Sequence, residues 1–490
     1  MSLNKMKSYW MAGAFFALVF SVLLIMRMDL LDKIFSAPQA LPISSPSVLP
    51  SSDTWMNIFQ KDKKIGFSHK IFTKKENGYL LQENVFMRIN TMGMVQNINL
   101  KTHGVLNDDL SLSSFDFKIS SGRFNFSANG SVSGDVIHIT TQSSGSFKTY
   151  NIQLKNKPYI AAGIMDAIRI AGIKTGEKYT FDVFDPATMG QEPVLVTVVG
   201  KENVEAMGSM KAATKFLMNF KGATQFAWIG EDGEVLKEKG LLGINLEKTT
   251  RNDALDKLSV ETGEDLTKLA SIASNMMIKD ASGLQKLKLE ISGIKYNEVN
   301  LQGERQTLTN NILTVKKESL LGLPPALEVD KLEPLEKIFM QPEPFIQSDH
   351  RTIIDQAKKI IQDEIVPLNK AKKLIEWVYK NIEKRPVLSV PDALSTLENR
   401  VGDCNEHAVL LAALARASGI PARIETGLAY LNGRFYYHAW NLLYLGRWIT
   451  ADSAFGQIPA DVTHIRFTTG SLKQLDLMGI IGQIKLKVIG

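Results

Sequence analysis

The chain has a single cysteine, Cys404, within Asn399-Arg400-Val401-Gly402-Asp403-Cys404-Asn405-Glu406-His407. A thiolate is a strong nucleophile, and its reactivity depends on what surrounds the sulfur. The bland alternative is a small buried apolar residue. The neighbours of Cys404 argue against it. Residues 404–418 are strong helix formers. Asp403 is a good N-cap, and Glu406 follows three positions later as in a capping box. Gly419 and Pro421 mark the helix end. The expected helix therefore begins at Cys404, with free N–H groups and the positive dipole end beside the sulfur. That setting is expected to lower the thiol pKa.

A thiol nucleophile needs a base. Asn432-Gly433 is a hairpin turn signal, flanked by strand-like runs 424–430 and 434–443. A further turn near Leu445-Gly446 precedes Trp448-Ile449-Thr450-Ala451-Asp452. If that turn centres on Leu445, His438 and Asp452 face each other on neighbouring strands. Opposed residues have Cβ atoms about 4.5–5.5 Å apart, and a one-residue slip breaks such a pair. The expected roles are Cys404 as nucleophile, His438 as base and then acid, and Asp452 as the group that orients the imidazole. The alternatives are a strand histidine with a solvated tip and a strand-end aspartate that only makes a turn.

These blocks resemble the transglutaminase-like superfamily. The resemblance is carried by Ala393 to Ala408, by Leu414 to Arg423, by Tyr437-His438-Ala439-Trp440 and by Trp448 to Asp452. It covers about residues 350–470. It implies an α+β, papain-like core: a helix bearing Cys404 packed on an antiparallel sheet bearing His438 and Asp452. It also implies acyl transfer through a thioester. Two positions depart from the common family pattern: Leu442 stands where many members are acidic, and Ser453 where proline is frequent. The tetrahedral intermediate needs oxyanion donors. The backbone N–H of Cys404 is one candidate, and Trp440 and Asn441 are others.

The remaining histidines suggest no metal centre. His407 is expected to be a partly buried helical residue, and His464, after Asp461, a structural one. His69, His103, His138 and His350 show no ligand spacing. No acidic loop has calcium-ligand spacing, so neither metal nor cofactor is expected. Gly172-x-x-x-Gly176-Glu177-Lys178 lacks the Gly-Lys-Ser/Thr run of a phosphate loop and reads as a turn.

The elements that would hold this site follow from a pass along the chain. Its length of 490 residues suits two or three domains. A net charge of +6 without a basic–aromatic patch gives no sign of nucleic-acid binding. Trp10 to Met26 is an unbroken run of apolar or small residues, at the short end for a membrane helix. Lys5 and Lys7 precede it, which puts the N-terminus in the cytoplasm and the bulk of the chain outside. No small-x-small site follows directly, so an uncleaved anchor is preferred to a signal peptide. A single cysteine in an exported chain cannot form an internal disulfide.

The expected layout is a cytoplasmic tip and membrane anchor over 1–36 and a Pro/Ser-rich linker over 37–52. A β-rich antiparallel domain with a helical insert near 252–280 occupies 53–318. A Pro-containing linker spans 319–349, and the catalytic domain covers 350–490. Strands are expected at 80–86, 115–119, 136–140 and 194–199, in a twisted sheet of half-barrel outline. Helices flank Pro367 within 351–384. The last apolar stretch, 477–482, reads as a strand or packed tail.

The functional expectation is an inner-membrane, single-pass enzyme with its bulk in the periplasm, acting on peptide or protein amide bonds. Hydrolysis is preferred, because nothing marks an amine site for cross-linking. The alternatives are a cross-linking transglutaminase and a catalytically idle peptide-binding or assembly module. An envelope protein partner is expected for the β-rich region.

Overall fold

The computed structural model describes residues 48–490 except 123, 144–145, 172–173, 221, 257–262, 295–298, 389 and 470–481. The expected anchor at 10–26 lies outside the described residues, as does most of the expected tail at 477–482. Among the described residues, no helix is long and apolar enough to cross a membrane.

The first half of the described chain is one fifteen-stranded sheet. Its strands run in chain order from β1 (Ser52–Gln60) to β8 (Ser146–Gln153), then from β9 (Tyr159–Ile160) and β10 (Lys178–Asp185) to β15 (Ile244–Thr249). β1 pairs with β15, and the strands spread outward on either side until β8 and β9 form the two edges. All pairings are antiparallel except β9 with β10, which is parallel. A flat sheet of this size would be about 70 Å wide, at roughly 4.8 Å between strands. Yet its two edges are joined by residues 154–158, which can span at most about 20 Å. The sheet must therefore curl until its edges approach, as a broken barrel. Cross-links at the seam agree: Leu112 N–H donates to Pro158 O at 2.7 Å, and Lys155 N–H to Gln191 Oε1 at 2.9 Å. Phe72, Leu81, Leu106, Phe117, Ile137, Phe181 and Val196 fill the interior, and the buried face of helix α1 (Ile164–Ala171) packs among them.

The helical insert expected over 252–280 is, among the described residues, two short helices and a strand. These are α2 (Arg251–Leu255), α3 (Leu266–Leu269) and β16 (Ile272–Ala273). Residues 272–316, grouped by sequence with the β-rich region, pair instead with the C-terminal part of the chain. A four-stranded sheet combines β17 (Lys286–Ser292), β18 (Gln306–Thr309) and β19 (Ile312–Lys316) with the final strand, Lys485–Val488.

The C-terminal part is α+β, as expected. After a short helix α4 (Pro334–Ile338), helices α5 (Arg351–Ile361) and α6 (Pro367–Asn381) flank Pro367. A short strand β20 (Glu383–Lys384), helix α7 (Ala393–Asn399) and strand β21 (Val401–Gly402) lead to α8 (Cys404–Ala417). The sheet beneath α8 is built from β22 (Ala422–Leu431), β23 (Arg434–Tyr444), β24 (Trp448–Ala451) and β25 (Ile465–Thr469), with β16 added at the edge of β23. Leu410, Leu411 and Leu414 of α8 join Ile424, Ala439 and Leu443 of the sheet in one core. At the hairpin end, Leu428, Tyr430 and Phe435 join the four-stranded sheet in another.

The curled sheet braces the segment that leads into Cys404. Gln96 Nε2 donates to Pro386 O at 2.9 Å, and Phe124 packs with Val387 and Val401. Tyr150 Oη donates to Pro344 O at 3.2 Å, and the Phe126 and Phe345 rings lie 5.9 Å apart.

Candidate active site

Helix α8 begins at Cys404 with its cap fully formed. Asp403 accepts from Asn405 N–H at 2.8 Å, and Glu406 Oε2 accepts from Asp403 N–H at 3.0 Å. Gly402 makes this possible: a Cβ there would sit 2.2 Å from Glu406 Cβ, so only glycine leaves room for the returning glutamate. The sulfur receives the Ala439 N–H, which ties it to the strand carrying His438. The expected lowering of the thiol pKa is not what the surroundings produce. Burial of the sulfur, then the nearby Asp403 carboxylate, pushes the thiol well above its ordinary value, opposed by the Ala439 N–H. The helix end is positive, but the Asp403 and Glu406 carboxyls that cap it act on the sulfur in the opposite sense. These surroundings favour the protonated thiol over the thiolate.

The candidate base, His438, is on β23, paired with β22 through the Asn432-Gly433 hairpin, whose positive φ values of 48° and 85° suit a type I′ turn. The turn between β23 and β24 centres on Gly446, not Leu445: Tyr444 pairs with Trp448, and Asn441 with Ala451. This is the one-residue shift expected to separate His438 from Asp452, yet His438 Nε2 lies 2.7 Å from Asp452 Oδ2. Extended, the register sets Asp452 opposite Trp440, so His438 is its diagonal neighbour on the same face. β24 stops at Ala451, and the chain turns at Asp452, which bridges to Gln457. The turn carries the carboxylate across the diagonal.

Asp452 is fixed from four directions. Oδ1 accepts from the N–H groups of Ala454 and Phe455 at 2.7 and 3.1 Å. Oδ2 meets His438 and also His464, whose Nε2 is 2.9 Å away. The three side chains are 8 %, 1 % and 0 % exposed for His438, Asp452 and His464. Burial alone would raise the Asp452 carboxyl, but the two histidines hold it well below the usual carboxylate range. With Nε2 committed to Asp452, Nδ1 is the His438 nitrogen left for a further partner. Phe455 stacks on the imidazole with centroids 4.8 Å apart.

His464 is the residue that sequence reasoning undervalued. Its only local signal is Asp461 three positions earlier, and its decisive contact, with Asp452, is made by a loop whose path no periodicity reveals. Arg305 shapes that loop: its guanidinium donates to Ala460 O at 2.6 Å, Asp461 O at 2.7 Å and His464 O at 3.0 Å.

Trp440 and Asn441 are close to the site, but their donors are engaged elsewhere. The Trp440 indole N–H donates to Glu425 Oε2 at 2.9 Å. Asn441 Nδ2 donates to Ala408 O at 2.9 Å and pins β23 to α8. His407 is buried, with Nδ1 2.7 Å from Asp403 O; burial lowers its pKa, so it is neutral. Ser453, at the position where relatives often have proline, donates from Oγ to His407 O at 3.2 Å and joins the post-β24 turn to α8.

The ligating atoms of His438, Asp452 and His464 lie within 4.8 Å of one another. Tetrahedral zinc, with Zn–N of about 2.0–2.1 Å, would hold its ligand atoms roughly 3.3 Å apart. The 2.7 and 2.9 Å separations here are hydrogen-bond lengths, so the cluster fits a proton-sharing relay better than a metal.

Residues 354–453 match the sequence profile of the transglutaminase-like superfamily core. Over these residues the chain is similar to the transglutaminase-like superfamily. The matched stretch ends just beyond Asp452, so His464 lies outside it. Comparison with curated proteins finds no match. Among solved structures, a candidate cysteine protease from Cytophaga hutchinsonii is similar, with 20 % identity, TM-score 0.29, and coverage of 41 % of this chain and 83 % of that one. A beta-barrel-like DUF1849 protein from Brucella abortus has 10 % identity, TM-score 0.33 and coverage of 41 % and 97 %. The periplasmic domain of TgpA from Pseudomonas aeruginosa, bound to ethylmercury, has 20 % identity, TM-score 0.22 and coverage of 30 % and 55 %. At these TM-scores none of the three likenesses carries an argument about what the chain does.

Proposed function

We propose that the chain is a cysteine enzyme that cleaves amide bonds in peptides or proteins through a thioester. The observation that carries this reading is the buried 2.7 Å contact between His438 Nε2 and Asp452 Oδ2, beside a helix that begins at Cys404. In the proposed cycle, His438 Nδ1 takes the thiol proton as sulfur attacks the carbonyl. The tetrahedral oxyanion collapses to a thioester, and the imidazolium protonates the leaving amine. Water, activated by the neutral imidazole, then releases the acid. The Cys404 N–H, at the first turn of α8, has no intrahelical acceptor and is an oxyanion donor in this scheme. Hydrolysis is preferred because no amine-binding site is evident among the described residues. Anchoring at the inner membrane through 10–26, with the bulk outside, belongs to the same proposal and is supported by the apolar run and the lysines before it.

A specific observation favours a second reading, a peptide-binding module without turnover: burial and Asp403 raise the Cys404 thiol. The pH dependence of Cys404 alkylation separates the two, and one cysteine per chain makes the readout unambiguous. Alkylation that is rapid near neutral pH and slowed in His438→Ala supports the enzyme. An ordinary thiol profile in both proteins favours the binding module.

A further inference from the structure

Asp452 is not a private partner of His438. Its Oδ2 lies between two imidazoles, 2.7 Å from His438 Nε2 and 2.9 Å from His464 Nε2. The other nitrogen of His464 also faces only acceptors: Nδ1 is 3.2 Å from Asp461 O and 3.3 Å from Asp461 Oδ1. Asp461 is itself held as an acceptor by Thr463 N–H at 2.8 Å and Gln457 Nε2 at 3.0 Å. A neutral imidazole has one N–H and one lone pair. In this position it would set a lone pair against an oxygen lone pair in a site with no solvent. Two protons satisfy both contacts.

Resting on the Cys404–His438–Asp452 reading above, we propose that His464 is a positioning residue of the active site: a buried imidazolium, clamped between Asp461 and Asp452, that neutralises Asp452 in part and so limits how tightly His438 holds its proton.

The surroundings support a lasting charge at His464. The Trp440 and Phe455 rings meet it edge-on at 5.2 and 5.6 Å and exclude water. Burial opposes the charge, but hydrogen bonds to Asp452 and Asp461 outweigh it and push His464 up to about 9. Other charged or titratable groups face this cluster from each side. Arg305, paired with Glu318 at 3.0 Å, touches the His464 carbonyl. Lys384 of β20 acts on Asp452 from a distance, and His407 of α8 is neutral. None of these donates a side-chain hydrogen bond to the His464 ring.

The consequence concerns proton transfer. An unshared buried aspartate would stabilise a His438 imidazolium strongly, and a proton held too firmly is delivered poorly to a leaving amine. The His464 charge, with ring centroids 5.5 Å apart, opposes protonation of His438 and favours the Cys404 thiolate. Removing it makes loss of the Cys404 thiol proton harder.

The test is the alkylation profile of Cys404 with iodoacetamide in the full-length protein, for wild type, His438→Ala and His464→Gln. Glutamine keeps an N–H for Asp452 but carries no charge. The expected result is a His464→Gln profile displaced to higher pH by about one unit or more, the size of a unit charge removed at this separation at intermediate dielectric. A His464→Gln profile that superimposes on wild type overturns the proposal while leaving the triad standing. A wild-type profile unchanged by His438→Ala overturns the triad and the proposal with it. Should His464→Gln not fold, 15N NMR of the unmodified protein, with seven histidines, decides. Protons on both His464 nitrogens at pH 7.5 support the proposal, and a single proton overturns it.

Discussion

His438 and Asp452 meet across a diagonal, at 2.7 Å, one residue beyond the end of β24. The contact depends on the turn after Ala451 and on the N–H groups of Ala454 and Phe455 that hold the other carboxylate oxygen. An amide at 452 could keep these backbone contacts and still present the wrong group to Nε2, reversing the imidazole tautomer. Asp452→Asn is therefore expected to leave the fold intact and to lower the Cys404 alkylation rate at pH 7 by roughly 100-fold or more. Thermal melting alongside the rate measurement separates chemistry from unfolding.

Gly402 offers a test of the helix start. Its missing Cβ leaves the space that Glu406 uses to reach the Asp403 N–H. In Gly402→Ala the glutamate must leave, and the capping box opens. The expected cost is about 1–3 kcal/mol of stability, read from the denaturation midpoint. Alkylation of Cys404 should change too, because the helix end that carries the thiol is released.

His464 also links stability to pH. Its folded pKa of about 9 lies above the ordinary value of 6.5. The folded state therefore binds the proton more tightly than the unfolded state. The stabilisation is complete below about pH 6.5 and is lost as pH rises through 9, on the order of 3 kcal/mol in all. Asp452 and Asp461, both held low, act at the acid end: their contribution is present above the ordinary carboxylate range and is lost as pH falls below it. Chemical denaturation at pH 6, 8 and 10 should show the alkaline loss in wild type and little of it in His464→Gln.

How much of this was legible in the sequence depended on range. The α8 cap and the hairpin turn are local: Asp403-x-x-Glu406 and Asn432-Gly433 specify their geometry within a few residues, and both formed as expected. The His438–Asp452 pairing was anticipated from a wrong turn centre, because strand periodicity fixes the face of a residue but not where a strand stops. The His464 contact, the Trp440–Glu425 bond and the placement of residues 272–316 against the C-terminal sheet all join distant segments. Their local patterns are those of ordinary strands and turns. The curl of the large sheet was legible only in outline, since strand count and edge order emerge from pairing.

Arg305 is the long-range support that most directly serves the site. From the segment before β18 it donates to three carbonyl groups of the 460–464 loop, to Thr450 Oγ1 at 3.0 Å and to Glu318 at 3.0 Å. A lysine has one nitrogen and cannot reproduce this spread of donors. Arg305→Lys is expected to cost about 2–4 kcal/mol, since it strands buried carbonyls and the partner carboxylate. In the folded variant, Cys404 alkylation should shift in the same direction as in His464→Gln, because the loop that presents His464 is loosened. Unchanged alkylation in a destabilised Arg305→Lys protein would confine Arg305 to a structural role.

Trp440 can be assigned by its hydrogen bond. An indole N–H free to meet an oxyanion would make Trp440→Phe lose roughly 100- to 1,000-fold in acylation rate. Here that N–H is held by Glu425, which also accepts from Arg466 Nη1 at 3.2 Å. Burial raises the Glu425 carboxyl, with Arg466, Arg305 and Arg423 opposing, so losing the indole donor leaves a buried Glu425 oxygen short of a hydrogen bond. Trp440→Phe should therefore destabilise the fold by about 2–4 kcal/mol through lost packing and the missing hydrogen bond. Its acylation by an activated ester such as p-nitrophenyl acetate should fall less than about 10-fold, a loss of positioning and not of an oxyanion contact. Stopped-flow measurement of the p-nitrophenolate burst, made well below the melting temperature of the variant, checks both halves of the expectation.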